Sequence, residues 1–185
     1  TGWVGTGCTS SGSVNVSRGF LVFNTSALPD NAVIASATLY LYVTAKADAA
    51  DEPNDHNGFI SVVQGLQSFP ASLASTDYPK AGNLVTNPTE GSNRVGLLNI
   101  TPAPPHTAWS LNAAGRGWIS RTGYTKLALR EGHDIVNAWP TPGYGAGSGN
   151  YISVYLSEQP ATDKDPYLEV TYSVSGLAVP TELER

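Results

Sequence analysis

The feature of this chain that most constrains its fold is a two-residue alternation in residues 35–44. One set of positions is aliphatic, and the set between them is polar or aromatic: Ala35, Ala37, Leu39, Leu41 and Val43 alternate with Ser36, Thr38, Tyr40, Tyr42 and Thr44. Successive side chains of a β-strand point to opposite faces, so this pattern predicts a half-buried antiparallel strand. Helical spacing of apolar residues is nearly absent along the chain.

Similar runs predict further strands at 18–23, 59–64, 94–100, 126–130, 151–156 and 167–172, with weaker signals at 2–6 and 14–16. A single short helix is predicted at 113–120, capped by Asn112. Long loops are expected at 45–58, 68–93 and 137–150. The pattern predicts an all-β fold, a two-sheet antiparallel β-sandwich or jelly roll with at most one short helix.

The 185 residues suit one domain, which we expect in residues 1–172. Residues 173–185 are expected to form a C-terminal tail or linker, because Gly176 and Pro180 interrupt any regular pattern. Leu177 and Val179 alternate around Ala178, so we also predict that this tail can add to an open sheet edge of a neighbouring subunit.

Charge and hydropathy exclude two classes of partner. The net charge is −5, and phosphate binding requires a basic face, so nucleic acid is not expected. No run of eighteen apolar residues is present, so membrane insertion is not expected. Only 14% of the residues are charged, which suits an extracellular location, at a cell surface or a virion surface.

Several segments carry a family resemblance. They are RGFLVFNTSALP at 18–29, VIASATLYLYV at 33–43, WI at 118–119 with GYTKLALR at 123–130, YISVYLSE at 151–158 and PYLEVTY at 166–172. Together they resemble the DNRLRE-type β-sandwich domain, a family that overlaps a group of carbohydrate-binding modules. The resemblance covers about residues 18–172.

The resemblance implies a β-sandwich that serves as an accessory or structural module. The expected function is a non-catalytic structural or adhesive module, displayed on or built into a cell-surface, filament or virion assembly. Its partners would be other copies or neighbouring modules. The alternative is a carbohydrate-binding module of a secreted polysaccharide-active protein.

The chain lacks the residue sets that a hydrolase uses. The glycine-rich run GYGAGSGN at 143–150 matches neither a nucleophile elbow nor a dinucleotide fingerprint. His56, His106 and His133 fall in three separate loops, where we expect them to face solvent rather than to bind zinc. We therefore expect no enzymatic activity.

Four tyrosines are the candidate ligand-binding residues, because they occupy the polar faces of predicted strands: Tyr40, Tyr42, Tyr151 and Tyr155. If these strands are neighbours, the rings would form a platform for sugar rings. Cross-strand aromatic packing or a subunit contact is the other interpretation.

An oxygen-rich loop closed by Gly58 is the candidate metal site, and calcium is the one cofactor that the sequence suggests. Its candidate ligands are Asp48, Asp51, Glu52, Asp55 and Asn57. A plain solvated loop is the alternative interpretation.

Three more residues carry predictions. Cys8 is the single cysteine, and we expect it to be a small buried hydrophobe, with an intermolecular disulfide as the alternative. Arg18 and Arg130 flank core strands, so at least one should be covered and paired with a carboxylate or with backbone carbonyls.

Overall fold

The computed structural model describes residues 1–8, 13–48, 56–70, 72–138, 149–157 and 163–174. Within these ranges 49% of the residues lie in strands and 13% in helical segments. The predicted mostly-β fold is therefore confirmed. No helix in the described ranges is long and apolar enough to cross a membrane.

The described residues form eleven strands. They are β1 Gly2–Cys8, β2 Val14–Ser17, β3 Gly19–Asn24, β4 Ala32–Leu41, β5 Val43–Asp48, β6 Phe59–Gln64, β7 Val95–Gly96, β8 Thr107–Ser110, β9 Tyr124–Glu131, β10 Gly149–Val154 and β11 Tyr167–Val174. All pairings are antiparallel, and the strands form three sheets, in the orders β2-β1-β10-β5, β11-β4-β8 and β3-β9-β6-β7.

Three sheets, rather than the two expected, result from a break at Tyr42. The strand predicted at 35–44 is divided there, so that β4 pairs with β11 and β8 while β5 pairs with β10. At the break the carbonyl of Tyr42 accepts a hydrogen bond from the backbone N–H of Tyr155 at 3.1 Å. One continuous segment therefore belongs to two sheets.

The alternation in β4 also changes phase, at a β-bulge. Ser36 pairs with Thr171 and Ile34 pairs with Tyr172, so Ala35 has no partner opposite it on β11. An unpaired residue shifts the pleat by one position. Ala37, Leu39 and Leu41 are buried as predicted, but Ala35 is exposed and Ile34 packs against the core instead.

One further strand prediction was inaccurate, and one strand was missed. The run predicted at 94–100 contains only the two-residue β7, because a 3₁₀ turn, Leu97–Asn99, follows directly. The strand β8 was not predicted, since its four residues are too few for a reliable alternation. Its Trp109 is nevertheless fully buried and donates from Nε1 to the carbonyl of Ile60 at 3.1 Å.

The larger of two buried apolar clusters in the described residues takes side chains from all three sheets. Its members include Val4, Leu21, Leu39, Leu41, Ile60, Val62, Trp109, Leu127, Leu129 and Ile152. Each buried aliphatic side chain of this kind contributes roughly 1.5–3 kcal/mol through removal of apolar surface from water. This shared core is what holds the three sheets together.

Helical segments are short but more numerous than predicted. The predicted helix exists as α1, Ala113–Gly117, and the side chain of Asn112 caps it by accepting from the Gly115 N–H at 3.1 Å. A second helix, α2 Gly132–Val136, corrects the expectation of at most one. It is capped by the Glu131 side chain and ends at Asn137, which has a left-handed φ of 55°. A 3₁₀ segment, Ser75–Lys80, lies in the predicted loop at 68–93.

Asp134 of α2 is buried between two arginines. Arg18 donates from Nε and Nη2 to its two carboxylate oxygens at 2.9 and 2.7 Å. Arg130 donates from Nε and Nη2 to the same oxygens at 2.6 and 2.9 Å, and also to the carbonyls of Ala81, Leu84 and Val85. The prediction that at least one arginine is covered and paired is confirmed for both.

Burial alone would raise the pKa of Asp134, but hydrogen bonds and positive charge from Arg18 and Arg130 outweigh it and hold the pKa below its ordinary value. The group is therefore ionised and paired at neutral pH. Because Arg18 precedes β3 and Arg130 lies in β9, this ion cluster ties α2 to two strands.

Two predictions fall outside what is described. The strand β11 continues to Val174, two residues beyond the expected end of the domain, and residues 175–185 of the predicted tail lie outside the described residues. The side chain of Cys8 is likewise not described, so its burial stays a prediction.

Candidate functional site

Three of the four predicted tyrosines belong to one surface cluster, and the fourth does not. Tyr40 and Tyr42 lie in and directly after β4, while Tyr155 follows β10. The rings of Tyr42 and Tyr155 are 5.4 Å apart. Tyr151, in the middle of β10, instead stacks on Trp3 of β1 at 4.5 Å.

The cluster includes two rings that the sequence analysis missed. Tyr167 of β11 stacks on Tyr40 at 4.6 Å with an interplanar angle of 13°, because the two residues are directly opposite across the strand pair. His106 touches Tyr167 edge-on at 5.2 Å and Tyr42 edge-on at 5.5 Å. We call Tyr40, Tyr42, His106, Tyr155 and Tyr167 the aromatic cluster.

The rings of the aromatic cluster are partly covered by one another and by Lys164. Tyr40 and Tyr167 cover one face of each other, and the ammonium of Lys164 lies 5.6 Å from the Tyr42 ring centre and 5.5 Å from that of Tyr155. Tyr167 is 44% exposed, whereas the other four rings are partly buried. This geometry agrees with the packing interpretation better than with an open sugar platform.

A different environment surrounds Trp3 and Tyr151. The strand β2 pairs with β1 from Gly5 to Cys8, so among the described residues no strand pairs with Trp3 on that side. Its indole is 55% exposed and rests on Tyr151 at an interplanar angle of 26°. A groove of about 150 Å³ runs beside this pair, and its lining is Trp3, Gly5, Thr6, Gly7, Asn15, Ser17 and Tyr151.

Gly5 makes the stacked pair sterically feasible. A Cβ on Gly5 would lie 2.4 Å from the Cβ of Tyr151 and 2.3 Å from the carbonyl oxygen of Asn150. No larger residue fits there without moving β10. We call the lined depression and its two aromatic residues the Trp3 groove.

A larger concavity of about 570 Å³ lies along β3, at the edge of the sheet β3-β9-β6-β7. Four consecutive strand residues line it, together with Gln67, Pro70, Ser72, Leu73, Tyr124, Leu156, Ser157 and Pro166. Leu73 and Tyr124 are 60% and 52% exposed, and the nearby Phe69 is 68% exposed. We call this concavity the β3 groove.

Gln67 in the β3 groove is an unusual buried polar residue. Its side chain is fully buried, and among the described residues neither its oxygen nor its nitrogen has a hydrogen-bond partner. Leaving such a group unsatisfied costs about 1–3 kcal/mol. Native proteins tolerate few such groups, and a buried water is their usual partner.

The candidate calcium ligands are only partly described. Asp51, Glu52 and Asp55 lie outside the described residues. Asp48 ends β5, and its carboxylate oxygen would lie 2.7 Å from a Cβ on Gly58, so the two ends of the loop are close together. Within the described ranges no group of three potential metal ligands converges. The calcium site stays a prediction, which thermal melting in calcium and in chelator tests directly.

The histidines do not occupy equivalent positions, which corrects the expectation that all three face solvent. His56 is exposed and His106 belongs to the aromatic cluster, whereas His133 is fully buried in α2. His133 Nδ1 is 2.8 Å from Glu131 Oε1, and Glu131 Oε2 accepts from Thr6 Oγ1 at 2.7 Å.

In the part of the chain that the structure describes, Glu131 and His133 form the one buried acid–base pair of the kind that active sites use. Burial raises the pKa of Glu131, and the hydrogen bonds from His133 and Thr6 only partly oppose this increase. A raised carboxyl pKa is common in active sites. However, both side chains are fully buried, and together with Thr6 they join β9, α2 and β1. Their described contacts are those of a structural anchor.

Comparisons of this chain with protein-family models, with curated proteins and with solved structures give no match.

Proposed function

We propose that this chain is a non-catalytic structural or adhesive module that works outside the cytoplasm, as part of a surface assembly, and that the β3 groove contacts a neighbouring copy or module. The observation that carries the proposal is the presence of exposed apolar side chains, Leu73 and Tyr124 among them, in one concavity along a sheet edge. Exposed apolar patches on soluble domains commonly mark protein contacts.

The position of β3 supports this proposal. Its one strand neighbour among the described residues is β9, so the backbone groups on its other edge are available to an added strand. Phe20, Leu21, Val22 and Phe23 line the groove in succession, so an extended segment lying there would run beside that edge. Strand addition uses backbone hydrogen bonds for affinity and side-chain pockets for specificity.

We also infer that the three sheets are layered as a β-sandwich of the DNRLRE type. Two facts support the inference. β4 and β5 are one segment interrupted at Tyr42, so their sheets can form one layer, and the sheet that contains β3 and β9 contributes side chains to the same core. The segments that carry the resemblance coincide with β3, β4, β9, β10 and β11.

Sedimentation analysis of the full chain over a range of concentrations tests the contact. We expect concentration-dependent association for the wild type and its loss in Leu73→Glu, which places a charge on the groove rim. Leu98→Glu is the matched control, because Leu98 is 75% exposed and does not line the groove. A wild type that stays monomeric at all concentrations, or equal effects of both variants, contradicts the proposal.

Gln67→Leu separates the contact from folding stability. Removing an unpaired buried amide should stabilise the monomer, by up to about 1–3 kcal/mol if leucine fits the space. The same change should leave association unaltered, because the amide is fully buried and a neighbouring copy does not reach it. A variant that associates less strongly than the wild type would show that Gln67 shapes the groove from beneath.

The C-terminal tail is the predicted occupant of a neighbour's sheet edge, although it lies outside the described residues. Removing residues 175–185 should weaken association and leave the unfolding free energy of the monomer nearly unchanged. A large loss of stability would instead assign the tail to the core of its own domain.

A further inference from the structure

The Trp3 groove lies on a different sheet from the β3 groove and has a different chemistry. Trp3, Gly5 and Gly7 alternate along β1 and therefore share one face of the sheet. Across the strand pairs, Tyr151 is opposite Gly5, Ser17 is opposite Gly5 on the other side, and Asn15 is opposite Gly7. The glycines form a flat floor between an aromatic wall and a polar wall.

We propose that the Trp3 groove is a binding site for neutral carbohydrate, with one sugar ring of a longer chain stacked on the exposed indole of Trp3. Tyr151 supports the indole from behind, which leaves the other indole face to the ligand. A sugar presents C–H groups on its ring faces and hydroxyls around its rim. It needs an aromatic face beside polar side chains, and the groove provides both.

The polar wall is available for ligand hydroxyls. Asn15 and Ser17 are exposed, and within the described ranges neither side chain makes a hydrogen bond to the protein. The Asn15 amide can donate and accept at once, and the Ser17 hydroxyl can do the same. A sugar hydroxyl has the same dual character, so the two types of group match.

The lining indicates an uncharged ligand. None of the residues that line the groove carries a charge, and the chain as a whole has a net charge of −5. A uronic-acid or sulfated sugar would have to shed water without gaining a guanidinium or ammonium partner, which is unfavourable. Neutral hexose or pentose chains face no such cost.

The size of the groove limits how much of the ligand it contacts. Its volume of about 150 Å³ is smaller than the roughly 300–1,000 Å³ of sites that enclose a drug-sized molecule. One ring fits, and the rest of the chain would continue over the sheet surface. We therefore expect weak affinity for a single chain, with a dissociation constant in the range from about 0.1 to several mM.

Titration of the full chain with a defined panel tests the proposal. The probes are hexasaccharides of cellulose, laminarin, mannan and xylan, with an alginate hexamer as the charged counterpart, and binding is followed by calorimetry and by ligand-observed NMR. We expect at least one neutral probe to bind and the alginate hexamer not to bind. If no neutral probe binds, or if alginate binds better than all of them, the proposal is wrong.

Variants then locate the site. Trp3→Ala should weaken binding by at least about tenfold, Trp3→Phe should retain part of it, and Asn15→Ala should weaken it severalfold. Tyr124→Ala is the matched control, because Tyr124 is an equally exposed aromatic residue in the β3 groove. Asn15 is an exposed side chain, so its variant keeps the test decisive should Trp3→Ala unfold.

A result in which Trp3→Ala and Asn15→Ala bind as well as the wild type assigns the sugar to another surface and overturns the proposal. This test is independent of the β3 groove. Leu73→Glu should abolish association without altering sugar binding. Trp3→Ala should weaken sugar binding without altering association.

Discussion

Two regions that meet at Ser17 and Arg18 use their side chains in opposite ways. Arg18 enters the buried ion cluster with Asp134 and Arg130, where every carboxylate oxygen is paired inside the protein. Ser17, one residue earlier, lines the Trp3 groove together with Asn15, and neither of these two side chains has a hydrogen-bond partner in the described chain. Two adjacent residues thus belong to different kinds of site. Arg18 is fully paired inside the protein, whereas the Ser17 side chain is available to a ligand.

The difference shows how to separate stability from recognition in this protein. A group whose interactions are completed inside the fold contributes to the unfolding free energy, and its loss leaves a buried charge unpaired. A group with free hydrogen-bonding capacity or an open ring face contributes little to folding and is available to a ligand. Substitutions in the two regions should therefore change different measurements.

The largest effect is expected for Asp134→Ala. It leaves two buried guanidiniums without their carboxylate, so the unfolding free energy should fall by about 3–5 kcal/mol. Urea denaturation measures the change, and sugar binding per folded molecule should remain. A loss below about 1 kcal/mol would mean that water reaches the two arginines and replaces the carboxylate as their hydrogen-bond partner.

A smaller effect is expected from the stacked aromatic pairs, which have similar ring separations of 4.6 Å for Tyr40 and Tyr167 and 4.5 Å for Trp3 and Tyr151. Double-mutant cycles to alanine should give a coupling of about 0.5–1.5 kcal/mol for the first pair. The second pair, more open to solvent, should lie at the lower end of that range. Equal coupling energies would show that the Trp3–Tyr151 pair contributes to folding as much as the Tyr40–Tyr167 pair does.

Acid stability should show a further contribution, from Asp77 in the 3₁₀ segment Ser75–Lys80. The Ala74 N–H and then Lys80 hydrogen-bond its carboxylate and lower its pKa to about 2. A depressed carboxyl pKa stabilises the fold above its unfolded value of about 3.9, and this contribution is lost as pH falls towards 2. Asp77→Asn should therefore flatten the dependence of unfolding free energy on pH between about 4 and 2. An unchanged slope would contradict the assignment.

The smallest effect is expected for Glu90→Gln. Glu90 and Arg94 form an ion pair of 2.7 Å, as short as the buried Arg18–Asp134 pair, but the Arg94 side chain is half exposed. Exposed pairs contribute about 0–1 kcal/mol, and salt should screen even that. A cost close to that of Asp134→Ala would show that bond length, rather than burial, determines the strength of these pairs.

Local sequence patterns were sufficient to locate most of the strands. Alternation located β4, β10 and β11 because the two-residue period is a property of each strand alone. It failed at Ala35, where the bulge depends on pairing with β11, and it missed β8, whose four residues are held by their partner β4. The helix α2 was missed although Asn137 offers a C-terminal signal, since its cap, Glu131, belongs to a strand.

The candidate sites were harder to predict from the sequence than the strands were. Tyr42 and Tyr155 do meet, as proposed from the alternation, but Tyr151 stacks on a residue almost 150 positions away in the chain. Trp3 was overlooked, even though Trp3, Gly5 and Gly7 already alternate in β1. The binding role proposed for Trp3 depends on its neighbours across the sheet, which the sequence does not identify.

By itself, the sequence determined the mostly-β character, the inward faces of the longest strands, the cap of α1 and the need to pair Arg18 and Arg130. These depend on backbone periodicity, on adjacent side chains or on the cost of burying a charge, and all three can be evaluated without a partner being known. Only the tertiary structure decided which polar and aromatic groups find a partner inside the protein and which do not. It placed Asp134 between two arginines and packed the rings of the aromatic cluster against one another. It left one face of the Trp3 indole and the Gln67 amide without a partner among the described residues. Register between distant strands sets that division, and short-range patterns do not encode it.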